Sequence, residues 1–128
     1  MITEREKIFV ADDDDDIVHI LSLMLQTKGY EVQTSRDATE ILTFTPGNLP
    51  DLVMLDIWMS GVDGREICRK LKEDPVTRHI PVLFISANAN IQEITNESMA
   101  DGFIAKPFEM EDMLTKVKAT LASSGINR

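Results

Sequence analysis

Carboxylates, a hydroxyl and an amine each stand where a short apolar segment of the sequence ends. They are Asp12, Asp13, Asp56, Ser86 and Lys106. Clustered carboxylates repel one another and have raised pKa values unless a cation shares them. Mg²⁺ suits oxygen ligands together with water and phosphate, and a lysine and a hydroxyl offer a charge and a donor to a phosphoryl oxygen. The set therefore predicts phosphoryl transfer onto an aspartate.

The segment at residues 51–56 is the centre of this set. An apolar run at residues 52–55 ends on Asp56, and the turn-forming Gly61 and Gly64 follow within a few positions. A continuous apolar run of this length, bounded by turn signals, is typical of a strand buried on both faces. Asp56 would then lie at the carboxyl end of its strand, the edge where open α/β sheets bind ligands. We therefore predict that Asp56 is the reacting residue.

Five predicted strands alternate with five predicted helices. The strands cover residues 7–11, 30–34, 52–56, 81–86 and 103–105. Apolar residues at helical spacing follow each strand, including a helix from Asn88 or Asn90 to about Ala100 and a last one carrying apolar residues up to Leu121. This alternation predicts an α/β domain with a parallel sheet and helices on both faces. The pattern does not define the strand order, and 2-1-3-4-5 is the common arrangement at this size.

Length and composition limit the class of protein. The 128 residues, 43% of them hydrophobic, predict one domain at residues 7–122, between an N-terminal tail (1–6) and a C-terminal tail or start of a linker (123–128). The net charge of −9 argues against a general nucleic-acid-binding surface. Cys68 is the only cysteine, so we expect no internal disulfide and a reducing, cytoplasmic location. No apolar run is long enough to span a membrane.

Several residues have a structural interpretation that involves no chemistry. Residues 14–16 are predicted to cap the first helix and to complement its dipole. Cys68 lies on an apolar helical stripe and is predicted to be a small core residue, and the methionines are predicted to fill the core. His19 and His79 do not form a pair in the pattern, and we predict that both lie at the surface.

Five segments that carry these residues give the chain a resemblance to a known family. They are residues 8–14, 51–56, 59–64, 80–87 and 103–108. In this order they resemble the receiver domain of two-component response regulators, over nearly the whole chain. The resemblance implies a flavodoxin-like, doubly wound (βα)5 fold. It also implies a phospho-accepting signalling switch whose only chemistry is its own phosphorylation and dephosphorylation, rather than an enzyme.

The resemblance implies a role for each residue of the acidic set. Asp56 is the expected acceptor of a phosphoryl group from a histidine kinase or histidine phosphotransfer protein. Asp12 and Asp13 are the expected acidic pair that binds Mg²⁺, or alternatively Mn²⁺, together with Asp56, with Asp13 in direct contact. Trp58 occupies the position that gives the metal a backbone carbonyl oxygen.

The remaining implied roles concern the response to phosphorylation. Lys106 is expected to hold a phosphoryl oxygen, and its bond to Pro107 is expected to be cis. Ser86 is the expected switch hydroxyl and Phe103 the switch aromatic, which report to the face of the fourth helix, fifth strand and fifth helix. The implied partners are a downstream protein or an attached output domain, without direct binding to nucleic acid or membrane. The expected state is a monomer or a weak dimer through that face.

Two residues depart from the family pattern. Ser60 stands where many receivers have proline, which is expected to loosen the turn after Asp56. Phe103 lacks the hydroxyl of the tyrosine often found there, so we expect its inward and outward rotamers to differ by packing alone. Neither change removes the phosphorylation chemistry.

Three other functions remain open at this point. The first is a receiver-like interaction module that never transfers phosphate, which Asp56, the acidic pair and Lys106 argue against. The second is a small aspartyl-phosphate hydrolase, but Trp58 stands where such an enzyme would have a second aspartate, and the chain has no room for a cap domain. The third is a flavin carrier, but the acidic loop after the first strand does not suit a flavin phosphate.

Overall fold

A five-stranded parallel sheet forms the centre of the computed structural model, which describes residues 5–125. Its strands are β1 Lys7–Ala11, β2 Glu31–Ser35, β3 Leu52–Asp56, β4 Val82–Ser86 and β5 Gly102–Ala105. They pair in the order β2-β1-β3-β4-β5, which confirms the predicted arrangement 2-1-3-4-5 and the flavodoxin-like topology. Residues 1–4 and 126–128 of the predicted terminal tails lie outside the described residues.

Helical segments follow each of the five strands. They are α1 Asp15–Thr27, the 3-10 segments Ala38–Thr43 and Pro46–Asn48, α2 Gly64–Glu73, α3 Ile91–Glu97 and α4 Met110–Gly125. The helix predicted after β2 is therefore a 3-10 segment, capped by the side chain of Asp37. The prediction for α3 was too long, because Met99 has a φ of 63° and a residue in the left-handed region does not continue an α-helix. Over residues 5–125, no helix has the length and apolarity needed to cross a bilayer.

Residues that alternate along the strands belong to opposite faces of the sheet. In β3, Val53 and Leu55 belong to one hydrophobic layer and Leu52 and Met54 to the other, and all four are fully buried. The first layer includes residues of α2, α3 and the first 3-10 segment, among them Ile67, Leu71, Ile91 and Ile41. The second includes residues of α1 and α4, among them Leu21, Leu25, Met113 and Val117. Helices therefore cover both faces, as predicted.

Most of the structural interpretations of single residues are confirmed. The Asp14 carboxylate caps α1 by accepting hydrogen bonds from the backbone N–H groups of Asp16 and Ile17. Cys68 is buried, and both histidines are exposed. The prediction that the methionines fill the core was wrong for Met99 and Met110, which are 53% and 46% exposed. One lies beyond the end of α3 and the other is the first residue of α4, so neither is on a buried stripe.

A short hairpin after β3, which we call the site hairpin (residues 58–63), replaces the loop predicted from the sequence. Trp58 pairs with Asp63 and Met59 with Val62 in an antiparallel ladder. The two turn residues, Ser60 and Gly61, have φ values of 49° and 79°, the combination of a type I′ turn. The sequence signal was weak because each strand of the hairpin has only two residues.

Gly64, which directly follows the site hairpin, is predicted to be intolerant of any side chain. A Cβ atom added at Gly64 would overlap the backbone carbonyl oxygen of Asp56, and the Gly64 N–H donates to the carbonyl of Ile57 at 2.6 Å. We expect Gly64→Ala to lower the free energy of unfolding by about 1–3 kcal/mol, the usual cost of overpacking, as measured by urea denaturation. Gly47→Ala is the matched control because open space surrounds that position. Equal effects of the two substitutions would contradict the prediction.

Candidate functional site

The carboxyl ends of β1 and β3 bring three carboxylates together. Asp12 and Asp13 directly follow β1, and Asp56 is the last residue of β3. The two strands are neighbours in the sheet, so the side chains meet at one edge. One carboxylate oxygen from each residue lies within 4.8 Å of the other two. The sequence-predicted acidic set is therefore one cluster in space.

Lys106, which follows β5, places its ammonium group against this cluster. The Lys106 Nζ donates to Asp12 Oδ2 at 2.8 Å and lies 3.7 Å from Asp56 Oδ2. Asp12 is fully buried, and its Oδ1 accepts a further hydrogen bond from the Asp14 N–H at 3.0 Å. A buried carboxylate without such partners is strongly destabilising. Lys106 thus compensates the most deeply buried charge of the site and also faces the carboxylate predicted to react.

Electrostatics set the protonation of Asp56 and Lys106. Burial, and after it the negative charge of Asp12, raise the pKa of Asp56 to about 6 despite the opposing effect of Lys106. Burial lowers the pKa of Lys106, but the hydrogen bond and the charge of Asp12 outweigh this effect, so the pKa lies above its ordinary value. Near neutral pH, Asp56 is therefore largely ionised and Lys106 is protonated.

The two expected switch residues lie on β4 and β5. Ser86 is buried at the end of β4, and its Oγ accepts a hydrogen bond from the Asn88 N–H at 3.0 Å. Phe103 is partly buried in β5 and packs against the hydrophobic layer that includes α2 and α3 residues. In β4, Ile85 is paired with Asp56, which places Ser86 one residue beyond the acceptor position. The Lys106–Pro107 peptide bond is cis.

The site hairpin forms one wall of the site. The Trp58 side chain is 61% exposed, and its backbone N–H lies 3.5 Å from Asp56 Oδ1. The Ser60 N–H donates to Asp13 Oδ2 at 3.0 Å, and the Ser60 Oγ lies 3.4 Å from the same oxygen. A backbone hydrogen bond thus attaches the turn to Asp13. No sequence pattern predicted this contact, although the Ser60-Gly61 pair suits a tight turn.

The strand order and the helices on both faces define a doubly wound, flavodoxin-like domain with an acidic cluster at the carboxyl edge of its sheet, and sequence comparison identifies its family. The sequence profile described as response regulator receiver domain matches residues 8–118. The chain therefore belongs to the response regulator receiver domain family of two-component systems.

Two regulators and one solved structure illustrate the similarity. The chain is 39% identical to response regulator PleD of Caulobacter vibrioides, over 88% of this chain and 25% of PleD. It is 38% identical to the DNA-binding dual master transcriptional regulator RpaA of Synechocystis, over 90% of this chain and 48% of RpaA. The structure of a signal receiver domain from a histidine kinase of Syntrophus aciditrophicus is 29% identical, with a TM-score of 0.83 over 92% of this chain and 91% of that chain. The chain thus spans at most half the length of the two regulators.

The raised pKa of Asp56 predicts that ionisation of this residue destabilises the metal-free protein. Between the unfolded value of 3.8 and the folded value of about 6, the folded state binds more protons, so stability falls as pH rises through this window. We expect Asp56→Asn to have nearly wild-type stability at pH 4 and to be more stable at pH 8, by at most about 3 kcal/mol. Urea denaturation in EDTA at both pH values measures the difference.

Other carboxylates contribute to the pH dependence of stability with the opposite sign, and these contributions cancel when Asp56→Asn is compared with wild type. Hydrogen bonds from Arg65 and Arg69 lower the pKa values of Asp63 and Glu66, and these contributions are the same in both proteins. Glu97→Gln, which removes one charge from an exposed position in α3, controls for net charge. A stability difference for Asp56→Asn that does not change with pH would contradict the prediction.

Proposed function

We propose that Asp56 accepts a phosphoryl group from the phosphohistidine of a histidine kinase or histidine phosphotransfer protein, in a reaction that requires Mg²⁺. The observation that carries the proposal is the meeting of Asp12, Asp13 and Asp56 at one sheet edge, with the Lys106 ammonium 3.7 Å from the Asp56 carboxylate. Family membership supports the same chemistry.

The donor set of the cluster fits Mg²⁺. Carboxylate oxygens are the hard ligands that this ion prefers, and it usually keeps several waters beside one or two protein carboxylates. Asp13 is exposed and Asp56 is partly exposed, so both are open to a hydrated ion, while Asp12 is buried behind them. Burial and the neighbouring charge of Asp12 raise the pKa of Asp56, and a divalent cation would relieve this electrostatic cost. Asp12, Asp13, Asp56 and the backbone carbonyl of Trp58 would hold it, with Mn²⁺ as an alternative.

The protein groups act mainly by position and charge. The ionised Asp56 carboxylate attacks phosphorus, an oxygen–phosphorus bond forms, and the phosphorus–nitrogen bond to the donor imidazole breaks. Lys106 stays protonated and is close enough to stabilise negative charge on the transferred group. Asp12, Asp13 and Asp56 would hold Mg²⁺, which when bound would supply further positive charge beside that group. The donor imidazole leaves as a neutral ring when its other nitrogen carries a proton, so the residues of this chain need not act as an acid or a base.

Phosphorylation then changes the charge at the end of β3. The new group adds about −1.5 to −2 charges and three acceptor oxygens. The Ser86 hydroxyl, one residue beyond the strand position paired with Asp56, would turn from the Asn88 N–H toward these oxygens. Phe103, on the neighbouring strand, would then change its packing and report to the face made by α3, β5 and α4. A few kcal/mol of differential interaction is enough for such a population shift.

The partners follow from this role and are likewise proposals. The signal would pass through the α3–β5–α4 face to a downstream protein or an attached output domain, in the cytoplasm. The same face would support at most a weak dimer, so the chain would otherwise be a monomer. RpaA is described as DNA-binding, but the acidic net charge of −9 in this chain favours protein partners over direct contact with nucleic acid or membrane.

Asp56→Asn is predicted to abolish phosphorylation, because the amide is not a nucleophile for phosphorus. The measurement is intact-protein mass spectrometry after incubation with acetyl phosphate and MgCl₂. Asp15→Asn is the matched control, since Asp15 lies in the same acidic run but pairs with Arg36 on the surface. Equal phosphoryl incorporation in Asp56→Asn and wild type would place the acceptor elsewhere.

Asp13→Ala is predicted to abolish Mg²⁺ binding, which distinguishes a phosphorylated switch from an interaction module on the same fold. Trp58 is the only tryptophan, and its backbone N–H lies close to the Asp56 carboxylate, so its fluorescence should respond to the metal. Titration of wild type with MgCl₂ should saturate, whereas the variant should show no saturating change. If wild type shows no Mg²⁺ binding by fluorescence or calorimetry, the metal-dependent function is wrong.

A further inference from the structure

The Ser60–Asp13 hydrogen bond joins two segments that are distant in sequence. Asp13 belongs to the loop between β1 and α1, and Ser60 is at the tip of the site hairpin. The backbone N–H of Ser60 donates to Asp13 Oδ2 at 3.0 Å, whereas the hydroxyl is further away at 3.4 Å. The main contact is therefore made by the backbone of residue 60 and not by its side chain.

A proline at position 60 would be incompatible with this contact for two reasons. Proline has no N–H, so the donor to Asp13 would be missing. Its ring also fixes φ near −65°, whereas Ser60 has a φ of 49°. Ser60 and Gly61 together allow the tight turn that directs the Ser60 N–H toward the acidic pair.

We propose that the backbone N–H of Ser60 is a positioning group that holds the Asp13 carboxylate ready for a divalent cation. The inference rests on the metal binding proposed above and adds a residue to it. Asp13 is exposed, so without a partner its side chain would be free to rotate and would lose that freedom when it binds a metal. Fixing one carboxylate oxygen reduces this cost and leaves the other oxygen available.

The hydrogen bond also fixes the distance between two expected metal ligands. The backbone carbonyl of Trp58 is in the site hairpin, to which the hydrogen bond attaches the Asp13 carboxylate. Hydrogen bonds from outside the coordination sphere orient metal ligands in proteins, and their loss typically reduces metal affinity by about 10–100-fold. Ser60 would have this role although it does not touch the metal itself.

Two substitutions at position 60 test the role of the N–H in metal affinity. Ser60→Pro removes the donor, and we expect its Mg²⁺ affinity to fall by about ten-fold or more. Ser60→Gly keeps the N–H, suits the positive φ and lacks only the hydroxyl, so its affinity should change by less than about three-fold. Calorimetric titration with MgCl₂ gives the affinities, and urea denaturation shows whether both variants remain folded.

Amide hydrogen exchange in metal-free protein tests the hydrogen bond without any metal. Asp13→Asn keeps an oxygen acceptor for the Ser60 N–H, whereas Asp13→Ala removes it. The Ser60 amide should exchange about ten-fold faster in Asp13→Ala than in wild type or Asp13→Asn. The Gly64 amide, which donates to Ile57 within the same segment, is the internal control and should not change.

The possible results separate this inference from the proposed function. If wild type binds Mg²⁺ and folded Ser60→Pro binds it equally tightly, the positioning role is wrong and the phospho-acceptor proposal stands. If wild type binds no Mg²⁺, both proposals fail. If Ser60→Pro does not fold, the exchange experiment decides, and equal Ser60 exchange in Asp13→Ala and Asp13→Asn would overturn the positioning role.

Discussion

The burial of Asp56 beside the charge of Asp12, which Lys106 compensates only in part, is the constraint on which the site depends. Asp12 is fully buried, and the Lys106 ammonium lies 2.8 Å from its carboxylate. One lysine is not enough for the whole cluster, since the pKa of Asp56 is still raised to about 6 by burial and by Asp12. The folded protein therefore holds unfavourable charge at the edge of the sheet. A cation or a change of charge at Asp56 acts on this imbalance.

The rest of the fold supports this arrangement by fixing the strand ends. The central strands are buried on both faces by helices, so their positions are set by two hydrophobic layers rather than by the polar edge. Carboxylates and the lysine come from β1, β3 and the segment after β5, which lie in one sheet. Gly64 adds a local requirement, because any side chain there would displace the Asp56 backbone. The hydrophobic core thus supplies the stability of the fold, and the unfavourable electrostatic energy is confined to the site.

The site hairpin connects the polar edge to the loop that carries the acidic pair. In a chain with serine rather than proline at position 60, the turn is shaped by two positive φ values and attached by a backbone hydrogen bond to Asp13. A hydrogen bond restrains the turn less than a proline ring would, but it exists only while the Asp13 carboxylate is in place to accept it. The hairpin and the acidic cluster are therefore physically connected in this chain.

The sequence by itself determined the element types, the parallel sheet and the residues of the acidic cluster. The reason is that buried parallel strands are continuous apolar runs, and each run ends on a polar residue such as Asp56 or Ser86. Tertiary structure alone decided the early end of α3, the exposure of Met99 and Met110, and the Ser60–Asp13 hydrogen bond. These features depend on backbone conformation and on contacts between residues far apart in the chain, which leave no periodic pattern in the sequence.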